Sequence, residues 1–236
     1  MGYMTRVLLV RHGRSTSNAQ GTLAGRSPGV ALDKVGISQV SDLAERLASV
    51  RITHLVSSPL QRTIETAKII ARAQTGPGKP KVRREAGVVE CDYGRWSGKK
   101  LKKLSKDPLW PVVQNHPSAV TFPGGESMLD AAARSIAACR AWALTGAEQA
   151  SESAVVVIVS HGDIIKSVLA DALGMHLDMF QRLVVEPASL SIVNYTPMRP
   201  FVELVNGTAD SLSSIGAVSG SDAVVGGGAG PPRKEK

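Results

Sequence analysis

Residues 154–163, Ala154-Val155-Val156-Val157-Ile158-Val159-Ser160-His161-Gly162-Asp163, decide how this chain is read. An amphipathic strand alternates apolar and polar residues, whereas an unbroken apolar run of this length buries both faces, as an interior strand of a parallel sheet does. The run stops at Ser160, and a helical pattern starts at once from His161-Gly162-Asp163. The same order recurs earlier in the chain. Arg6-Val7-Leu8-Leu9-Val10 reads as a strand ending at Arg11-His12-Gly13, and a helix follows near Asp33 with Ile37, Val40, Leu43, Ala44 and Leu47 on one face. A second strand, Ile52 to Ser57, ends at Ser58-Pro59. Ser58 is expected as N-cap, Pro59 as the first helical residue and Gln61 as the far member of a capping box, with the helix running through Ile64, Ala67 and Ile70 to the Gly76-Pro77-Gly78 stop.

Farther out, Val82 to Tyr93 reads as extended and Lys99 to Val113 as basic and partly helical. An Ala-rich helix is expected from about Ser127 to Leu144, after the Pro123-Gly124-Gly125 turn. Ser189 to Tyr195 and Phe201 to Val205 read as two last strands joined at Pro197. The alternation predicts an α/β fold: a three-layer αβα sandwich, its central sheet mostly parallel, with helices on both faces. One domain is expected over residues 1–206. Residues 207–236, rich in Gly, Ser, Ala and Asp, read as a flexible tail too poor in apolar surface to offset its ordering entropy.

Composition narrows the class. Of 236 residues, 43% are hydrophobic and 20% charged, an ordinary globular balance. No apolar run reaches the roughly 18 residues of a membrane span, and Met1 to Val10 reads as a first strand rather than a signal peptide. Two cysteines, Cys91 and Cys139, imply no disulfide framework and fit reduced thiols in the cytoplasm. The formal charge is +8, and the last 30 residues balance Asp210, Asp222 and Glu235 against Arg233, Lys234 and Lys236. The excess therefore lies in the folded part and favours anionic partners, of which a small phosphorylated substrate is one and nucleic acid another. Aromatic residues make up only 4% and no nucleic-acid-binding motif is present, so no nucleic-acid partner and no membrane partner are expected. The oligomeric state is left open, a homodimer among the options.

In an open parallel sheet, ligands sit beyond the carboxyl ends of the strands. Arg11-His12-Gly13, Ser58 to Arg62 and His161-Gly162-Asp163 all stand at such ends. Two histidines and two arginines are thereby expected to converge on one crevice, with Arg62 in a helix first turn where free N–H groups already favour an anion. Guanidinium forks match phosphate oxygens. Singly, each residue has an ordinary explanation: His12 a polar strand end, Arg11 and Arg62 surface cations, Asp163 a helix N-cap, Glu90 an exposed carboxylate. No His-Glu-x-x-His, Cys-x-x-Cys or P-loop pattern occurs, so neither metal nor cofactor is expected, and His54, His116 and His176 read as structural or exposed.

The stretch Leu8 to Asn18 resembles the signature of the histidine phosphatase superfamily, which includes the cofactor-dependent phosphoglycerate mutases. Ser57-Ser58-Pro59-Leu60-Gln61-Arg62-Thr63 is similar to its second arginine motif and Glu90 to Gly98 to its acid motif, while Pro123-Gly124-Gly125-Glu126-Ser127 and Ser160-His161-Gly162 complete the order. The resemblance covers roughly residues 5 to 205. It implies His12 as nucleophile, forming a phosphohistidine without metal, and Glu90 as proton donor and acceptor. Arg11, Arg62, His161 and Gly162 would hold the phosphoryl oxygens, with Asn18 adding a hydrogen bond. Family mutases carry a long Arg-rich insertion after the acid motif. Here Lys99 to Phe122 is short, with five lysines, no arginine, Trp110 and three prolines. Hydrolysis of phosphomonoesters is therefore expected, with mutase activity and non-catalytic binding of a phospho-ligand as alternatives. Arg14, Arg26, Lys99 and Trp110 are the candidates for substrate specificity.

Overall fold

The computed structural model describes residues 4–76, 79–149 and 154–208. In chain order the elements are β1 (Thr5–Arg11), α1 (Thr16–Ala19), α2 (Lys34–Arg46), β2 (His54–Ser57), α3 (Gln61–Ala73), β3 (Val82–Arg84), α4 (Leu101–Leu104), α5 (Trp110–Asn115), α6 (Met128–Gln149), β4 (Ala154–Ser160), α7 (Gly162–Ala172), β5 (Leu190–Tyr195) and β6 (Pro200–Gly207). Short 3-10 turns at Ala86–Val88, Gly94–Trp96, Pro117–Ala119 and Leu177–Arg182 complete them.

The six strands form one sheet in the order β3-β2-β4-β1-β5-β6. β3, β2, β4 and β1 pair in parallel, whereas β5 runs antiparallel to both β1 and β6. The expected three-layer sandwich is therefore the observed one. Its two cores follow from the period-2 alternation of strand side chains. On one face Val7, Leu9, Val56, Val156 and Ile158 join Cys139 and Ala143 of α6 and Ile165, Val168 and Leu169 of α7. On the other Leu8, Val10, Leu55, Val157 and Val159 join Val40, Leu43 and Ala44 of α2 and Ala67 and Ile70 of α3. β4 has neighbours on both edges and core on both faces, which is why its sequence has no polar face. Each such aliphatic side chain contributes about 1.5–3 kcal/mol of burial.

Register places the strand ends together. Arg11 is level with Ser160 across the β1–β4 pair, and Ser57 is level with Val159 across β2–β4. The bonds continue past the strands, His12 N–H to Ser160 O at 3.0 Å and Ser58 N–H to Val159 O at 3.0 Å. Three adjacent strands thus deliver His12, Ser58 and His161 side by side.

Several local expectations need correction. Asp33 does cap α2, its Oδ1 accepting Gly36 N–H at 2.7 Å. Ser58 does not cap α3: the helix starts at Gln61, and Leu60 at the N-cap makes no side-chain cap bond. Asp163 is not an N-cap either; His161 holds that position, and Asp163 lies inside the first turn of α7. Val82 to Tyr93 is extended only to Arg84, because the acid motif turns away from the sheet in 3-10 geometry. β6 runs through Gly207, one residue beyond the expected domain end. Most of the expected tail, from residue 209, lies outside the described residues.

Candidate active site

The site is assembled at the carboxyl ends of β2, β4 and β1. Arg11, the last residue of β1, and Arg62, the second residue of α3, are 1% and 2% exposed. Arg11 Nη1 donates to Val185 O at 2.7 Å, leaving Nε and Nη2 buried without a partner. Arg62 Nη2 donates to Gly25 O at 2.8 Å, while Nη1 is buried without a partner. Unpaired buried donors are costly, and three on two convergent guanidiniums are what an oxyanion would satisfy. Burial also pulls Arg11 down to about 10, against the opposing pull of Glu90.

The hydrogen bonds fix both imidazole tautomers. His12 Nδ1 lies 2.7 Å from Gly13 O, a carbonyl that only accepts, so Nδ1 carries the proton. Nε2 is then the lone-pair nitrogen, and it accepts from Arg62 Nε at 3.2 Å. Arg62 Nη2 meets His161 Nδ1 at 3.2 Å, and a guanidinium only donates, so His161 is protonated at Nε2 and gives that proton to Ser58 Oγ at 2.8 Å. The two rings meet edge to face with centroids 5.2 Å apart. Burial first, then the arginine charges, hold both histidines well below the ordinary imidazole value, so both are neutral.

Glu90 completes the pocket. Its Oε2 is 3.9 Å from His161 Nδ1, and its Oε1 accepts Cys91 N–H at 3.0 Å. Burial, then the charge of Asp163, pushes it up to about 7 despite Arg62 and Arg11. Its carbonyl is held by Arg26 Nε at 2.8 Å and Arg134 Nη2 at 3.2 Å. Glu126 in turn bridges Arg26 and Arg134 through Oε1, at 2.8 and 2.6 Å, and the same oxygen accepts Asp92 N–H. The Pro123-Gly124-Gly125-Glu126 turn is therefore a clamp on the acid loop.

The sequence candidates do not all gather here. Arg11, His12, Arg62, Glu90 and His161 do, and Gly162 opens α7 beside them, buried. Asn18 Oδ1 accepts from the backbone and hydroxyl of Ser15, closing the capping box of α1. Arg14 is turned to Asp33, Nε to Oδ2 at 2.7 Å. Arg26 serves the clamp. Lys99 is exposed, and Trp110 stacks on buried Trp96 with centroids 6.0 Å apart. Residue reasoning missed Ser58 as partner of His161, the carbonyls of Gly25 and Val185, and Arg134. A backbone carbonyl carries no sequence signal, whereas Ser58 stood in a motif and was assigned the wrong bond.

Comparison with known proteins gives the family and the fold. Residues 7–208 match the sequence profile of the histidine phosphatase superfamily (branch 1). The bifunctional protein Rv2228c of Mycobacterium tuberculosis is 36% identical over 211 residues, 88% of this chain and 55% of that protein. The chain thus spans about half the length of that relative. A probable phosphoglycerate mutase GpmB of Proteus mirabilis is 32% identical, covering 81% of this chain and 86% of its own. Among solved structures, YhfR of Bacillus stearothermophilus superimposes with a TM-score of 0.76 at 23% identity, over 86% of this chain and 97% of its own, which shows the shared fold.

Proposed function

Because the chain belongs to the histidine phosphatase superfamily, branch 1, we propose that it hydrolyses small phosphomonoesters through a phosphohistidine on His12. One observation carries the reading. A neutral imidazole, its tautomer set by Gly13 O, turns its Nε2 lone pair to Arg62 in a pocket where three arginine nitrogens have no partner. The substrate phosphoryl group takes those donors, and Nε2 attacks phosphorus. As the bond from phosphorus to the leaving oxygen breaks, Glu90 gives that oxygen its proton. Water then attacks phosphorus, passes a proton to Glu90, and the N–P bond breaks to release phosphate. Arg11, Arg62 and His161 stabilise the charge on the equatorial oxygens in both steps. Protein ligands supply all the charge this sequence of steps requires.

The test is phosphate release from a panel of phosphomonoesters. His12→Ala should abolish it, and Glu90→Gln should accumulate phosphohistidine detectable at His12 by mass spectrometry. Release undiminished in His12→Ala, or label on another residue, refutes the mechanism. The relationship to a probable phosphoglycerate mutase keeps a second reading in view. A mutase must hold its substrate while it reorients, and the segment after the acid motif here is two short helices, α4 and α5, with Trp110 packed on Trp96. Hydrolysis is favoured. Interconversion of 2- and 3-phosphoglycerate at a rate above their hydrolysis would reverse that preference.

A further inference from the structure

Every N–H donor of the Arg134 guanidinium is engaged. Nη1 donates to Gly87 O and Val89 O, each at 2.8 Å, and Nη2 to Glu90 O at 3.2 Å and Glu126 Oε1 at 2.6 Å. Nε takes the other carboxylate oxygen, Glu126 Oε2, at 3.1 Å. Arg11 and Arg62 differ in kind, because they keep nitrogens without a partner that an oxyanion would fill. Arg134 has no donor left to give a substrate. What it holds instead is the carbonyls of one short segment, Gly87 to Glu90, that ends at the acid.

A strand would satisfy those carbonyls through its ladder and keep Glu90 in the plane of the sheet. The chain leaves the sheet after Arg84, through the 3-10 turn at Ala86–Val88, so the donors come from side chains. Their bases are firm. Arg134 projects from α6, whose Cys139 and Ala143 lie in the core, and Glu126 stands two residues before that helix. Arg26 reaches the same Glu90 carbonyl from another direction, Nε to O at 2.8 Å, while its Nη2 meets Glu126 Oε1 at 2.8 Å. The carbonyl just before it, Gly25 O, accepts from Arg62 Nη2 at 2.8 Å. Bonds thus run from Arg62, through the Gly25–Arg26 peptide, to the backbone of the acid. The Glu90 carboxyl adds no comparable anchor. Its Oε1 accepts the N–H of the next residue, Cys91, at 3.0 Å, a bond that moves with the loop. Its Oε2 stands 3.9 Å from His161 Nδ1, beyond hydrogen-bond length. Where the carboxyl sits is therefore set by where the carbonyl is held.

We propose that Arg134 and Arg26, locked together by Glu126, are positioning residues that grip the Glu90 carbonyl and so aim its carboxyl at the leaving oxygen. The proposal rests on the phosphatase reading, and its test separates the two. In the full chain, kcat/KM is measured for an alkyl phosphate, whose leaving oxygen needs a proton, and for 4-nitrophenyl phosphate, whose leaving group needs little help. Arg134→Ala should lower kcat/KM for the alkyl phosphate about 100-fold, the cost of roughly 1 Å of misplacement, and for the aryl ester by less than about tenfold. Inhibition by vanadate should keep its strength, since Arg11 and Arg62 are untouched. In a Glu90→Gln background the same change should add little to the alkyl phosphate loss, because a residue acting through the acid then has nothing to position. Arg26→Gln releases the same carbonyl and should repeat the pattern; it decides the matter if Arg134→Ala does not fold. Equal losses for the two esters, vanadate inhibition weakened as far as the alkyl rate, or a full further loss in the Glu90→Gln background overturns the proposal, for the clamp is then scaffold alone. If Glu90→Gln by itself costs both esters equally, the acid role falls and the positioning role with it, an outcome read from that variant without Arg134 being changed.

Discussion

His12 and Glu90 are buried to nearly the same degree, yet burial acts on them in opposite directions. Desolvation disfavours whichever form is charged, so the imidazole loses its proton and the carboxyl keeps it. The proposed mechanism needs neutral His12 and protonated Glu90. On this reading kcat/KM should be flat from well below pH 6.5 and fall on the basic side with an apparent midpoint near the value of about 7 for Glu90. In the substrate complex the bound phosphoryl anion favours the protonated acid further, so the limb of kcat should lie at higher pH than that of kcat/KM. A profile rising through pH 6.5 on the acid side would contradict the neutral-imidazole assignment. Ser58 Oγ accepts from His161 Nε2 at 2.8 Å, and Ser58→Ala strips the acceptor from that buried N–H, at a cost of about 1–3 kcal/mol. Rate measurements should show kcat lowered roughly tenfold or more, since 1.4 kcal/mol is a factor of ten.

Among the elements, contacts too close for a side chain decide how the motifs dock. A Cβ on Gly36 would lie 2.0 Å from Arg14 O, and one on Gly125 would lie 2.1 Å from Asp92 O. Gly36 lets α2 pack against the loop after His12, and Gly125 lets the clamp turn reach the acid loop. Gly36→Ala should therefore cost about 3 kcal/mol in chemical denaturation, as overpacking of a rigid backbone contact does. Gly21→Ala, at φ +60° with nothing within 4 Å, should instead cost only positive-φ strain, a contribution absent from the loss at Gly36. The strands and long helices were legible because their periodicity reports burial directly. Val82 to Tyr93 reads as extended throughout because its apolar residues Val88, Cys91 and Tyr93 are buried, but they reach the core from a 3-10 turn and the loop after it rather than from a strand. The missing cap of α3 has the same origin: Ser58 was a good local cap, but the neighbouring strand offered it His161.

For the whole molecule, the site is a charge on stability. Glu90 has a folded value raised from 4.5 to about 7, so its contribution is full below pH 4.5 and is lost as pH rises through about 7, a change of about 3 kcal/mol. The buried histidines have the opposite sign: the unfolded chain takes up protons near pH 6.5 that the folded chain refuses, so stability falls as pH drops below that value. Denaturation curves should show His12→Phe flattening the acid side and Glu90→Gln the basic side. An oxyanion that satisfies Arg11 and Arg62 should stabilise the fold, by about 2.7 kcal/mol at a concentration 100 times its Kd. Vanadate should raise Tm in the native chain and leave it unmoved in Arg62→Ala.

The sequence alone determined the sandwich, because an apolar run such as Ala154 to Val159 has only one solvent-free place in a parallel sheet. It also determined that Arg11, His12, Arg62 and His161 meet, because a strand end is a fixed location in that fold, whereas Glu90 came only with the family resemblance. It offered Arg14 and Arg26 to the substrate by proximity to the first motif, Asn18 by its match to that motif, and Trp110 as a residue that could stack. Tertiary structure decided what each touches in the folded chain, Asp33 for Arg14, Glu126 for Arg26, Ser15 for Asn18 and Trp96 for Trp110, which nearness along the chain does not report. Only the packed structure set the protonation of His12 and Glu90, for that depends on excluded water and on charges from three separate elements, β1, α3 and α7. The residues of the site were written in the sequence; their charge states were made by burial.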